Sequence, residues 1–191
     1  MASVGFDMYC QLLAEAVAEL KGEEPDTFEL PPADLSMDAH IPSNYITSES
    51  VRLTFYKKMT AVREMKDVDQ IEEEFRDRFG DPPAPVRNSL ELLRVRLRAA
   101  EVGIGSIVTE RRQVICRFAG GIRLDSDVCV LMRRKIPGTV FMTDRVVVDG
   151  ASRDLFGLLH RVMDALPEAI KESHDLRRYL KKVRAGEVIK G

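Results

Sequence analysis

The carboxylates between residues 67 and 81 are the side chains whose spacing most suggests chemistry. The run Glu72-Glu73-Glu74 could hold Mg²⁺, but it falls in the middle of a helical pattern with no apolar strand before it, so a solvated helix face is favoured. Glu74 and Asp77 are three residues apart, which places them on the same side of a helix. Beside apolar atoms, such a pair could accept charged hydrogen bonds from a partner's arginine or lysine, although the pattern alone favours a solvated face.

Other catalytic and metal-binding patterns are incomplete. The chain has no Gly-x-x-x-x-Gly-Lys-Ser/Thr loop, and Gly120-Gly121 is better interpreted as a turn. The segment 125–127 lacks the glycine and the distal glutamate of a calcium loop, and a helix cap explains it better. No histidine has a partner at metal-ligand spacing; the histidines are His40, His160 and His174. We therefore expect a non-enzymatic chain without cofactor or metal.

Basic residues leave a second function open. One group is Arg87, Arg94, Arg96 and Arg98, and the other is the run 133–135. Phosphate contacts by Arg87, Arg94, Arg98 and the basic C-terminal segment would make the chain a nucleic-acid-binding accessory domain of a helicase-like protein. However, these residues are spread over several elements and no aromatic side chains are interleaved with them, so pairing with carboxylates is the favoured interpretation.

Composition bounds the class of protein. The 191 residues are 45% hydrophobic and 31% charged, which suits a globular domain, and the net charge is only −2. The cysteine count is odd, at 3, and no Cys-x-x-Cys spacing occurs, so neither a disulfide framework nor a zinc site is expected. No apolar run is long enough for a membrane span, and no signal peptide is evident. These features predict a cytoplasmic protein with no membrane partner.

The first half of the sequence is predicted to be helical. Apolar spacings of three and four predict helices over Phe6–Leu20 and after a cap at Ser48. A third helix is expected from Asp67, with Gln70 completing a capping box, to Phe79. The proline-rich stretch Glu23–Asp34 is predicted to be an extended connector. Two further expectations are a short strand over Leu35–Ile41, and a helix beginning near Pro85 with the apolar stripe Val86, Leu90, Leu93, Leu97 and Ala100.

The second half predicts two β-hairpins and a long last helix. The strands are expected over Ile104–Val108, Val114–Phe118, Val140–Met142 and Val146–Val148, with a short helix capped by Asp125 or Ser126 between the hairpins. A final helix capped by Ser152 is expected to kink or end at Pro167. The predicted fold is α+β: a helical N-terminal half, then a small, mostly antiparallel sheet of two hairpins packed against helices, with a long C-terminal helix. We expect one domain over residues 1–175, with a helical part at 1–101 and an α/β part at 102–175, and a disordered basic tail at 176–191.

Three sequence blocks together resemble one known family. They are Gly5-Phe6-Asp7-Met8-Tyr9-Cys10-Gln11-Leu12-Leu13, the two runs 41–46 and 52–58, and Glu74-Phe75-Arg76-Asp77-Arg78-Phe79-Gly80-Asp81-Pro82-Pro83. In this order they resemble the C-terminal domain of the bacterial transcription-repair coupling factor, Mfd. The resemblance covers most of residues 4–166, and the motifs of the ATPase motor and of the polymerase-binding module are absent from it.

The resemblance implies a docking role within a larger DNA-repair protein. Mfd-like proteins are ATP-driven translocases on double-stranded DNA, using ATP and magnesium; they displace stalled RNA polymerase and recruit UvrA. The resemblance implies that this domain docks on the UvrB-like N-terminal module of the same polypeptide, masks its UvrA-binding surface and restrains the motor. It further implies that Glu74 and Asp77 make that contact, flanked by Glu73, Arg78 and Phe79.

Overall fold

A computed structural model of the chain describes the backbone of residues 30–184 and side chains up to residue 174. The predicted helix Phe6–Leu20, the first family-like block and residues 185–191 lie outside this part. The helices are α1 (Glu49–Thr60), α2 (Met65–Phe79), α3 (Ala84–Glu101), α4 (Ser126–Lys135) and α5 (Leu155–Arg184). The strands are β1 (Ala33–Asp34), β2 (Ile104–Glu110), β3 (Gln113–Phe118), β4 (Val140–Phe141) and β5 (Arg145–Asp149). The predicted α+β class is confirmed.

The strands form one mixed sheet in the order β1-β2-β3-β5-β4. The β2–β3 and β4–β5 pairs are antiparallel hairpins, as predicted, and β3 also pairs antiparallel with β5. Only β1 runs parallel to its neighbour, with Ala33 opposite Ile107. In β3 and β5 the core residues lie two apart, as a pleated sheet requires: Val114 with Cys116, and Val146 with Val148. In β2 the core residues Ile104 and Ile107 are three apart, because the pairing register shifts between Ile104 and Ser106.

The strand expected over Leu35–Ile41 is wrong. The strand in this region is β1, which lies before it, and residues 35–41 form bends and loop. The alternation that predicted a strand is nevertheless a true burial pattern, because Leu35, Ala39 and Ile41 are buried. A bend that places Met37 N 2.6 Å from Leu35 O turns the chain out of the sheet, so alternate burial continues without strand pairing.

Helix α3 is buried on two faces rather than on the single stripe predicted. Its residues Leu90, Leu93 and Leu97 pack into a cluster with α1 and α2, while Leu92, Val95 and Ala99 pack against the sheet and α5. Ala100, expected in the apolar stripe, is exposed. The described residues therefore contain two hydrophobic clusters, and α3 is the wall between them.

Helix α2 begins two residues before the predicted start. Glu64 is its N-cap, and Asp67 occupies the third helical position instead of the cap. The Asp67 carboxylate accepts hydrogen bonds from the backbone N–H of Arg63 at 2.8 Å and of Glu64 at 3.0 Å. The capping box is therefore formed by Glu64 and Asp67, and Gln70 has no part in it.

Helix α5 does not end at Pro167 but continues to Arg184. A proline inside a helix removes one backbone hydrogen bond, and the buried side chains around it offset that loss. Leu166 and Ala169, on either side of the proline, are fully buried against the sheet cluster. The helical backbone thus enters the segment predicted as a tail. Within residues 30–184, no helix is both long and apolar enough to cross a membrane.

Candidate docking surface on helix α2

The buried side of α2 fixes which residues it presents outward. Val68, Ile71 and Phe75 are buried against α1 and α3. The Phe75 ring stacks on Phe55 of α1, with ring centroids 4.1 Å apart and an interplanar angle of 19°. Phe79, one turn later, is half-buried and meets Phe55 edge-on at 5.8 Å. This aromatic contact orients the last two turns of α2, where the predicted docking residues lie.

Glu74 lies between two cations of its own domain. Its carboxylate accepts hydrogen bonds from the ammonium of Lys58 on α1 and from Arg78 Nη1 at 2.7 Å. Its side chain is 28% exposed. The hydrogen bond from Lys58, more than that from Arg78, lowers the pKa of Glu74. The predicted acceptor for a partner's cation is therefore already engaged by Lys58 and Arg78.

The same two cations lie over the aromatic rings. The Arg78 guanidinium is 5.1 Å from the centroid of Phe79 and 5.5 Å from that of Phe55, and Lys58 Nζ is 5.4 Å from Phe55. Cations at these distances are attracted by the negative ring face. The structure thus brings Glu74, Arg78 and Phe79 into one cluster with Lys58 and Phe55, which we call the α1–α2 ion cluster.

Asp77 and Glu73 are outside this cluster. Both side chains are exposed, and neither forms a hydrogen bond or an ion pair with any described residue. Being four residues apart, they lie one above the other on the same face of α2. Asp77 and Glu73 are thus the carboxylates of the predicted set that remain open to an external cation.

Two contributors to this surface were missed from the sequence alone. Lys58 comes from α1, and its role depends on how α1 packs against α2. The Tyr45 hydroxyl donates to the backbone carbonyl of Gly80 at 2.8 Å, and its ring contacts Phe79 at 5.9 Å. Tyr45 and Lys58 both fall in the family-like runs 41–46 and 52–58, which is the signal that could have pointed to them.

Arg94, considered above as a phosphate contact, is instead an internal link. Its guanidinium lies 2.8 Å from Asp69 and 2.7 Å from Glu72, both on α2, and 2.8 Å from Glu91. Burial opposes its charge, but the hydrogen bonds with Asp69 and Glu72 prevail and raise the pKa of Arg94. His160 of α5 lies 3.4 Å from Glu91, so this network joins α2, α3 and α5.

Most of the other predicted basic residues are also engaged within the domain. Arg98 pairs with Asp164 at 2.6 Å, and Arg87 donates to the Pro82 carbonyl at 2.6 Å. Arg96 donates to the carbonyls of Pro31 and Leu30, Arg133 to that of Phe141, and Lys135 lies 3.2 Å from Glu172. Arg134 forms no such contact with a described residue. Among the residues described, no group of histidine, cysteine and carboxylate side chains has the arrangement of a metal site.

Comparison with known proteins gives one consistent match. Residues 35–128 match the model of the family described as the TRCF domain. A transcription-repair-coupling factor from Staphylococcus haemolyticus is 37% identical over 115 residues, which are 59% of this chain and 10% of that protein. One from Staphylococcus aureus is 33% identical over 115 residues, with the same coverage. The chain therefore matches about a tenth of the length of these curated relatives.

A solved structure shows the same fold. It is described as the crystal structure of the C-terminal domain of transcription-repair coupling factor, and it superposes with a TM-score of 0.59. The superposition covers 74% of this chain and 93% of that chain, at 19% sequence identity. The likeness to it is one of fold, and it extends beyond the matched residues of the family model.

Proposed function

We propose that this chain is a TRCF-type domain with a non-catalytic, regulatory role, which docks on another module of a transcription-repair coupling factor. The docking partner in this proposal is the UvrB-like N-terminal module of the same polypeptide. Docking masks the UvrA-binding surface of that module and restrains the ATP-driven translocase that displaces stalled RNA polymerase. The observation that supports it is the exposed carboxylate pair Glu73 and Asp77 beside the α1–α2 ion cluster.

The two carboxylates named from the sequence have different roles in this proposal. Asp77 has no partner among the described residues, so it is open to accept charged hydrogen bonds from an arginine or lysine of the module. Glu74 is held by Lys58 and Arg78, so a partner's cation must share it with them. We therefore expect Asp77 to account for more of the docking free energy than Glu74.

The free energy of a few ion pairs suits a reversible inhibitory contact between the two modules. Exposed ion pairs contribute about 0–1 kcal/mol, whereas close pairs desolvated in an interface couple by about 1.5 kcal/mol or more. One or two such pairs therefore reach the coupling free energy of about 1–3 kcal/mol that is usual in allosteric restraint. Because the module and this domain are tethered in the proposed parent, the effective concentration adds to a weak intrinsic affinity.

The test is calorimetric titration of this chain into the isolated UvrB-like module. We expect Asp77→Asn to weaken binding more than Glu74→Gln, and Glu74→Ala/Asp77→Ala to weaken it most. The amide substitutions remove charge while keeping size, so they separate electrostatics from packing. Excess chain should also reduce UvrA binding to the module, and Asp77→Asn should relieve that competition.

Matched controls come from the same helix. Asp69→Asn removes a carboxylate of α2 that is paired with Arg94, and it should leave docking unchanged. If the wild-type chain binds but Glu74→Ala/Asp77→Ala binds equally well, this face of α2 is not the interface. If the isolated parts do not bind, fusing them through a flexible linker supplies the missing effective concentration, and docking is then read from protection of α2 against hydrogen exchange.

A further inference from the structure

The tip of the β2–β3 hairpin carries two arginines in a conformation that arginine rarely adopts. Arg111 and Arg112 form the turn between the paired residues Glu110 and Gln113. Their φ angles are 47° and 67°, and both residues are exposed. A two-residue hairpin turn with both φ angles positive favours Asn-Gly, since a Cβ atom is crowded against the backbone there and asparagine tolerates this better than arginine does. The chain thus has two strained cations at a protruding turn, and backbone strain of this kind is found at functional positions.

A second loop is held against this tip. The N–H of Gly150 donates to the carbonyl oxygen of Arg112 at 2.9 Å. A Cβ atom at position 150 would lie 2.9 Å from that same oxygen, so the approach depends on glycine. The exposed residue Arg153 follows three positions after Gly150. The fold therefore places a third arginine at the same end of the sheet.

These three arginines are not neutralised within the described residues. None of Arg111, Arg112 and Arg153 forms an ion pair or a hydrogen bond there through its guanidinium. By contrast, Arg94, Arg98 and Arg145 each pair with carboxylates. Positive charge is therefore open at the hairpin tip, while these other arginines are internally satisfied.

Two of the three carboxylates near the tip pair with other arginines, and the third is hydrogen-bonded within its own turn. Glu110 pairs with Arg117 at 2.9 Å. The Asp149 carboxylate accepts a hydrogen bond from the N–H of Ala151 at 2.9 Å. Asp154, next to Arg153, lies 3.2 Å from Arg161 and accepts from the N–H of Gly157 at 3.0 Å. None of these acids is paired with one of the three arginines.

We propose that Arg111, Arg112 and Arg153 form a phosphate-binding surface that contacts the backbone of double-stranded DNA. Guanidinium groups present several donors in a planar fork that matches phosphate oxygens. The turn residues 110–113 include no aromatic side chain on which a single-stranded base could stack, so backbone contact with a duplex is favoured. They also include no apolar anchor of the kind that centres a protein–protein interface, which argues against an acidic protein partner.

This surface is independent of the docking surface on α2 and of the function proposed for it. Since the net charge of the chain is −2, no overall field attracts DNA, and affinity depends on the local cluster. Contact of this kind is independent of base sequence and weakens as salt rises, because phosphate binding releases counterions. The expected activity is a weak, non-specific hold on duplex DNA.

The test is fluorescence anisotropy of a short labelled DNA duplex titrated with the full chain over a series of salt concentrations. In Arg111→Asn/Arg112→Gly the turn takes its preferred residues and loses both charges, so folding is retained and the melting temperature is equal or higher. We expect this variant to bind roughly tenfold more weakly, with a salt slope lower by about 2. Arg153→Gln lies outside the turn and should lower the slope by about 1.

The control removes the same charge elsewhere. Arg123 and Arg134 are exposed, their guanidinium groups form no hydrogen bond or ion pair with a described residue, and neither lies in the hairpin turn. Arg123→Gln/Arg134→Gln should keep most of the affinity. The proposal is overturned if the tip variant binds DNA like the wild type, or if the control loses as much affinity. Tip-dependent binding of a labelled glutamate homopolymer that is as tight as DNA binding would instead identify an acidic protein as the partner.

Discussion

Phe55 of α1 and Phe75 of α2 are fully buried and stack with their ring centroids 4.1 Å apart. This contact joins the two helices that supply the α1–α2 ion cluster, so the position of Lys58 relative to Glu74 depends on it. Offset aromatic pairs contribute about 0.5–1.5 kcal/mol beyond the area they bury. The stack therefore supports both the helical cluster and the geometry of the candidate docking surface.

Phe75→Ala should reduce the free energy of unfolding by about 3–5 kcal/mol, the usual loss for a fully buried phenylalanine. Phe79→Ala should cost less, because Phe79 is only half-buried in the same helix. Urea unfolding followed by circular dichroism gives both values. An equal loss for the two variants would contradict the argument that the deeper burial of Phe75 decides the difference.

The Glu74 ion cluster should make stability depend on acid pH. The pKa of Glu74 is lowered in the folded state from its ordinary value of 4.5, chiefly by the hydrogen bond from Lys58. The folded state therefore binds this proton less readily than the unfolded state, and the stabilisation is present above pH 4.5 and lost as pH falls below it. Glu74→Gln lacks this titration. Its deficit relative to wild type should be largest at neutral pH and disappear in acid; a constant deficit would refute the assignment.

The Arg94 network should be worth more than the exposed pairs of Arg98. Arg94 has a 19% exposed side chain and contacts Asp69, Glu72 and Glu91, whereas Arg98 is 42% exposed. Arg94→Met removes one cation from the half-buried carboxylates of Glu72 and Glu91, and we expect a loss of about 1–3 kcal/mol in the free energy of unfolding. Arg98→Met should lose about 1 kcal/mol or less. Equal losses, measured by urea unfolding, would mean that Arg94 is no more than a surface residue.

The buried thiol of Cys116 should be inert in the folded protein. Burial raises its pKa to about 12, so almost no thiolate is present at neutral pH. In a Cys10→Ser variant, a chromogenic disulfide reagent should label Cys116 only at the rate of unfolding. Cys129, which is also buried, serves as the internal comparison, and Cys129→Ser isolates the Cys116 signal. Rapid labelling of Cys116 under native conditions would contradict its burial.

The spacing of apolar residues predicted most of the helices and strands but not how they pack against each other. The spacing of Ile71, Phe75 and Phe79 correctly placed the apolar edge of α2, since that signal is local. The pairing of Glu74 with Lys58 was not predictable, because it depends on the packing of α1 against α2. Arg94 looked available for phosphate for the same reason: its partners Asp69 and Glu72 belong to another helix.

The errors in the predicted fold have local physical causes. Apolar and polar residues alternate over Leu35–Ile41 as they would in a strand, because a bent loop there buries its apolar side chains. The pattern predicts Ala100 in the apolar stripe of α3, but Ala100 is exposed. The alanine that is buried is Ala99, which belongs to the second buried face of the helix. The turn at Arg111–Arg112 falls between two strands that were predicted, but its positive φ angles are visible only in the backbone geometry.

The two-faced burial of α3 has a consequence for how the domain comes apart. Unfolding of α1 and α2 would expose one apolar face of α3 to water, and unfolding of the sheet would expose the other. Neither hydrophobic cluster is therefore complete without α3. Backbone amides in the middle of α3 should therefore be among the last to exchange with deuterium, and only by global opening. In the proposed docking function, a partner can therefore leave α2 without loosening the sheet, because α3 stays packed against the sheet.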